Sequence, residues 1–95
     1  MQKDLFGTVK ELDSLEITSE LIRAGRALVR WGQRDLATAS GLSLPTIKRL
    51  EAARGKLAAH SSTVSALRRA LEGAGIEFIN GAAPGVRLRT DRKRK

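Results

Sequence analysis

The sequence predicts a mainly α protein of four to five helices, closed by a small C-terminal β-hairpin. Three observations point there. Apolar residues recur at helical spacing from residue 17 to residue 75, and each recurrence stops at or beside a glycine. The period then falls to two in IEFI (76–79) and VRLR (86–89), which flank NGAAPG and read as a hairpin with a six-residue loop. Aromatic residues make up 3% of the 95 residues against 41% hydrophobic overall, so the core is expected to consist of Leu, Ile, Val and Ala, which suits packed helices.

Residues 1–16 form an N-terminal amphipathic segment, with Leu5, Val9 and Leu12 at i, i+4, i+7, Phe6 beside them and Gly7 weakening the helix. The next stretch, EITSELIRAGRALVRW, has a marked start. Thr18 is placed to cap it, and Ile17 and Ile22 fall at the two positions of a hydrophobic staple. Its expected buried face is Leu21, Gly25, Leu28 and Val29, with Gly25 permitting a close crossing and Gly32 as the stop. A short helix over 33–40 turns Leu36 and Ala37 inward, and Gly41 supplies the left-handed residue that ends it. Leu42 follows as a core plug and Ser43 caps another helix, where Pro45 is tolerated in the first turn. There Ile47 and Leu50 lie on one side, Thr46, Lys48 and Arg49 on the other, and Gly55 ends the element within ARGK. A last helix, from Ser61 or Ser62 to Gly75, has Val64, Leu67, Leu71 and Ala74 as its seam.

The net charge is +8, with an isoelectric point near 11.1. Residues 1–20 hold two basic residues against five acids and residues 21–95 hold sixteen against five, a split of −3 and +11. That excess on one domain favours polyanionic partners, nucleic acid first. Cysteine is absent and His60 is the one histidine, which leaves little for a metal centre. Ser43, Ser61 and Ser62 read as helix caps and the acids show no paired arrangement, so no nucleophile system, cofactor or enzymatic activity is expected. Trp31 reads as half-buried packing and His60 as structural. No apolar run approaches the ~18 residues of a membrane span, and the first twenty residues are charged throughout, so the expected location is the cytoplasm.

Two short helices about a Gly-centred turn, with small Ala37 at their crossing, make a helix-turn-helix. The run QRDLATASGLSLPTIKRLEAARG resembles the repressor/Cro-like (XRE) family, whose usual form places Gln in the first helix, Leu-Ala inside it, Gly at the turn, then Ser, Thr-Ile and a closing Glu. The resemblance covers residues 17–75 and implies a repressor-like helix-turn-helix domain. It implies major-groove contacts from Ser43, Leu44, Pro45, Thr46, Lys48 and Arg49, and phosphate contacts from Gln33, Arg34, Arg54 and Lys56. It also implies a structural ion pair between Arg26 and Glu51. Three positions depart from the family pattern: Gly32 stands for the usual capping Ser, Ser40 for an apolar residue, and Leu44-Pro45 for side chains that read base edges.

The function these features predict is sequence-specific binding of double-stranded DNA by a homodimer, as a transcriptional regulator on a palindromic or pseudo-palindromic operator. Residues 76–89 are the expected dimerisation element, through Ile76, Phe78, Val86 and Leu88, because two strands alone are marginal in water. A hairpin that covers its own helices is the alternative. Residues 90–95 form a basic tail. Two other functions suit the same fold: an antitoxin that binds its own operator and neutralises a toxin, or a protein-binding antiactivator.

Overall fold

Thr18 caps the first helix as the sequence predicts: its hydroxyl accepts the Leu21 N–H at 3.1 Å. The computed structural model describes residues 16–90, so the Leu5–Val9–Leu12 stripe and the tail cations Arg92, Lys93, Arg94 and Lys95 lie outside the described residues. Helix α1 (Ser19–Leu28) follows the cap, and Ile17 and Ile22 are both buried. The buried edge differs from the expected one, because Ser19, Ile22 and Gly25 face inward while Leu28 is 41% exposed. The Ser19 hydroxyl donates to the Leu50 carbonyl at 2.8 Å, which fixes that edge of α1 against the third helix. Gly25 does sit at a close crossing: a Cβ there would meet Leu71 at 3.3 Å.

Helix α1 also ends earlier than Gly32. The Trp31 N–H reaches back to the Arg26 carbonyl at 2.9 Å and the Arg30 N–H to the Ala27 carbonyl at 3.1 Å. These are the paired bonds of a Schellman stop, whose left-handed position is normally glycine. Here Arg30 occupies it at φ 60°. Arg30→Gly should therefore stabilise the protein, by up to about 1 kcal/mol, since an L-residue is disfavoured there and glycine is not. Urea unfolding would show it as a higher midpoint at unchanged slope.

Helix α2 (Gln33–Ser40) has Gly32 as its N-cap, with no side chain to accept a bond. Asp35 compensates from inside the first turn, its carboxylate accepting the Gly32 N–H at 2.8 Å. Gly41 ends the helix at φ 79°, as expected, and Leu42 packs against the core. Helix α3 (Leu44–Ala52) begins at Ser43, whose Oγ accepts the Thr46 N–H at 3.2 Å. Helix α4 (Ser61–Gly73) takes His60, not a serine, as its N-cap, without a side-chain bond. Ser61 and Ser62 lie exposed in its first turn, so the expectation that both are caps is corrected.

The chain turns at Gly75 into β1 (Ile76–Ile79), paired antiparallel with β2 (Gly85–Leu88). The register is Ile76 with Leu88, Glu77 with Arg87, Phe78 with Val86 and Ile79 with Gly85. The second strand thus starts and stops one residue before the expected VRLR. Phe78, Val86 and Leu88 pack against the helical core, and Ile76 is part of it at 1% exposure. The hairpin therefore covers the chain's own helices. The core itself is aliphatic: Ile17, Ile22, Leu36, Ile47, Leu50, Leu57, Leu67, Leu71 and Ile76. Among the described residues no helix is long and apolar enough to cross a membrane.

Candidate nucleic-acid interface

An amphipathic helix can present a side chain to a partner only if its other face is held, and α3 is held at both ends. Ile47 and Leu50 enter the core and leave Pro45, Lys48 and Arg49 exposed, with Leu44 and Thr46 half-buried. At the N-terminal end the Ser43 hydroxyl donates to Thr46 Oγ1 at 2.8 Å as well as accepting the Thr46 N–H. Ser43 is thus occupied by its own helix, and the Thr46 hydroxyl keeps its proton for an outside acceptor.

The C-terminal end is organised by Glu51, which is 5% exposed. Arg26 clasps its carboxylate bidentately, Nε to Oε2 at 2.8 Å and Nη2 to Oε1 at 2.7 Å, while Arg26 Nη1 donates to the Trp31 carbonyl at 3.0 Å. Gln33 Nε2 donates to Glu51 Oε1 at 3.0 Å, and Arg23 Nη1 donates to the Glu51 backbone carbonyl. Three helices therefore meet on one carboxylate. Burial alone would raise the Glu51 carboxyl pKa, but the hydrogen bonds from Arg26 and Gln33 and the charges of Arg26 and Arg23 outweigh it and hold the group below its usual value of 4.5. The group is depressed in the folded state, so its stabilisation is present above the unfolded value and is lost as pH falls through the folded one. The melting temperature of the native protein should therefore fall more steeply than that of Glu51→Gln between about pH 5 and pH 2.

The loop after α3 is tied down as well. Ser19 N–H donates to the Gly55 carbonyl at 2.9 Å, and Leu57 N–H to the Ile17 carbonyl at 3.3 Å. Glu20 accepts the Gly55 N–H at 3.0 Å; the bond from Glu20's own backbone, and then this one, keep its exposed carboxyl below the usual value. Arg54 and Lys56 are exposed on this pinned loop. Arg34 is exposed in the first turn of α2, beside Gln33 and hence next to the end of α3. Among the described residues Arg34, Lys48, Arg49, Arg54 and Lys56 make no ion pair, whereas Arg23, Arg26, Arg68 and Arg87 each pair with an acid.

The structure thus brings Arg34, Lys48, Arg49, Arg54 and Lys56 onto elements joined by the Glu51 and Gly55 contacts, with Ser43, Leu44, Pro45 and Thr46 at the opposite end of α3. Gln33 is half-buried and engaged with Glu51 rather than projecting alone. Ile76 is enclosed within the chain and unavailable to a second subunit; Phe78, Val86 and Leu88 are partly covered by the same core. Ser19, Glu20 and Arg23 are the supporting residues that sequence reasoning missed. The i, i+3 spacing of Glu20 and Arg23 signals a surface pair, but nothing local signals bonds to residues some 30 positions away.

No His, Cys, Asp or Glu group of three or more among the described residues could hold a metal ion. Taken together, the elements define a small helical domain with a fixed, cation-bearing surface helix. Neither family models nor curated proteins give a match to the chain.

Proposed function

We propose that this protein binds double-stranded DNA sequence-specifically, as a non-enzymatic transcriptional regulator acting as a homodimer, with α2 and α3 forming a repressor-like helix-turn-helix and α3 in the major groove. The observation that carries the proposal is α3 itself: a helix held from behind by a buried carboxylate, with Lys48 and Arg49 on its outer face and Arg54 and Lys56 directly after it. Arg49 is the base-reading side chain, suited to a guanine edge, and the Thr46 hydroxyl adds a donor. Leu44 contributes apolar contact, for instance with a thymine methyl. Arg34, Arg54 and Lys56 face phosphates with Lys48, and Gln33 orients the first turn of α2 toward the backbone.

Among the described residues each strand of the hairpin has one neighbour, which leaves two outer edges open there. Dimerisation by edge pairing, with Phe78, Val86 and Leu88 beneath it, would set two copies of α3 about one DNA turn apart, ~34 Å. Light scattering at micromolar concentration tests this. A dimer supports it and a monomer refutes the homodimer.

Four phosphate-facing cations per subunit make eight in the dimer, so the logarithm of affinity should fall against the logarithm of salt concentration with a slope of roughly −7. Arg54→Gln should flatten that slope by about 2, because both subunits lose a contact. Anisotropy titrations on a fluorescent duplex read both values, and a slope near zero would refute DNA binding through this face. The apolar pair Leu44-Pro45 at the start of α3 favours a second reading, a protein-binding antiactivator, which predicts that near-zero slope.

A further inference from the structure

The turn between α1 and α2 places a bulky cation where the backbone suits glycine. Arg30 stands there, exposed, at φ 60°. Nothing in the turn needs a long side chain, so the arginine is an outlier that asks for a function. Hydrogen bonds fix the turn in place. The Arg30 N–H donates to the Ala27 carbonyl at 3.1 Å and the Trp31 N–H to the Arg26 carbonyl at 2.9 Å. Arg26 Nη1 holds the Trp31 carbonyl at 3.0 Å, while the same guanidinium clasps Glu51 of α3. Gln33, three residues after Arg30, bonds Glu51 as well. Arg30 is therefore tied to the frame that presents α3.

Charge sets Arg30 apart as well. Residues 30–56 hold six cations and two acids, and both acids are engaged. Arg26 and Gln33 take Glu51, and the Asp35 carboxylate accepts the Gly32 N–H at 2.8 Å. Among the described residues Arg30 makes no ion pair. We propose that Arg30 is a further phosphate contact, extending the DNA-binding surface from α2 onto the α1–α2 turn. The inference rests on the reading of α3 as a major-groove helix. A guanidinium suits the role, because its planar fork meets phosphate oxygens in pairs. Each subunit then has five phosphate-facing cations in place of four, and the expected salt slope of a dimer steepens from roughly −7 to roughly −9. The competing role for a cation here is to complement the negative end of α1, where Arg26 already stands in the last turn.

Salt-series anisotropy titrations of the full chain, on a fluorescent duplex taken from upstream of its own gene, separate the two roles. Arg30→Gly should raise the urea midpoint and yet flatten the salt slope by about 1 per subunit, hence about 2 for a dimer. Arg30→Gln should flatten the slope equally, and Arg30→Lys should keep it close to the native value. Arg69→Gln is the charge-matched control on α4, where Arg69 Nη1 donates to Ser65 Oγ at 3.0 Å; it should leave the slope unchanged. A steep native slope that Arg30→Gly and Arg30→Gln both preserve would overturn the phosphate contact while leaving DNA binding by α3 intact. Equal flattening in Arg69→Gln would also overturn it, since net charge alone would then account for the effect. A lower urea midpoint in Arg30→Gly with an unchanged slope would assign Arg30 to the end of α1. A native slope near zero would remove the DNA-binding reading and this contact together.

Discussion

Replacing Glu51 with glutamine should cost about 3 kcal/mol of folding stability. The size follows from what remains behind. Arg26 would keep its charge with its side chain 18% exposed, and its two donors would lose an ionised acceptor at 2.7 and 2.8 Å. Arg23 would lose a nearby opposing charge, although its bond to the Glu51 backbone carbonyl would persist. A domain of this size is stable by roughly 4–11 kcal/mol, so the variant approaches the threshold of folding. The double variant Arg26→Met, Glu51→Leu should recover most of the loss, because two apolar side chains in place of a buried pair leave no charge uncompensated. Urea unfolding followed by circular dichroism measures both. A loss under 1 kcal/mol in Glu51→Gln would mean that the carboxylate does not hold α3 in place.

Arg49→Ala should weaken binding to the preferred site by about 1–3 kcal/mol and relax selectivity at one base pair in each half-site. Gln33→Ala should lower affinity for every sequence alike, since its proposed role faces the backbone. The contrast separates reading from positioning. Gln33 carries a second consequence, because its Nε2 also bonds Glu51. Its removal should therefore cost some stability as well as affinity, whereas Arg49→Ala, on an exposed face with no intramolecular ion pair among the described residues, should leave the melting temperature nearly unchanged.

Much of the architecture was legible in local chemistry. Thr18, Gly41 and Ser43 mark element ends because caps and left-handed turns depend on a residue and its near neighbours. The end of α1 was not legible, because the left-handed position fell on Arg30 instead of glycine and the stop is made by backbone bonds. The buried edge of α1 was misjudged for a different reason. Ser19 is buried through a bond to Leu50, 31 residues away, and hydrophobic periodicity carries no trace of such a partner. The same limit applies to the hairpin. Its alternating pattern identified the face of Ile76, Phe78, Val86 and Leu88, but not that the chain's own helices cover it. At the candidate interface, Lys48 and Arg49 could be placed on the outer face of α3 from the positions of Ile47 and Leu50. The Arg26–Glu51 pair came from the resemblance, and the convergence of Gln33 and Arg23 on Glu51 needed the fold.

The proposal of sequence-specific DNA binding is tested most directly by a competition gel shift. The labelled probe is the DNA upstream of the protein's own gene, challenged with unlabelled copies of itself or with a scrambled duplex of equal length across a series of salt concentrations. The expected result is a complex that its own sequence displaces at far lower concentration than the scrambled duplex does, with the discrimination reduced in Arg49→Ala. Equal displacement by both competitors, or no complex at low salt, would contradict it.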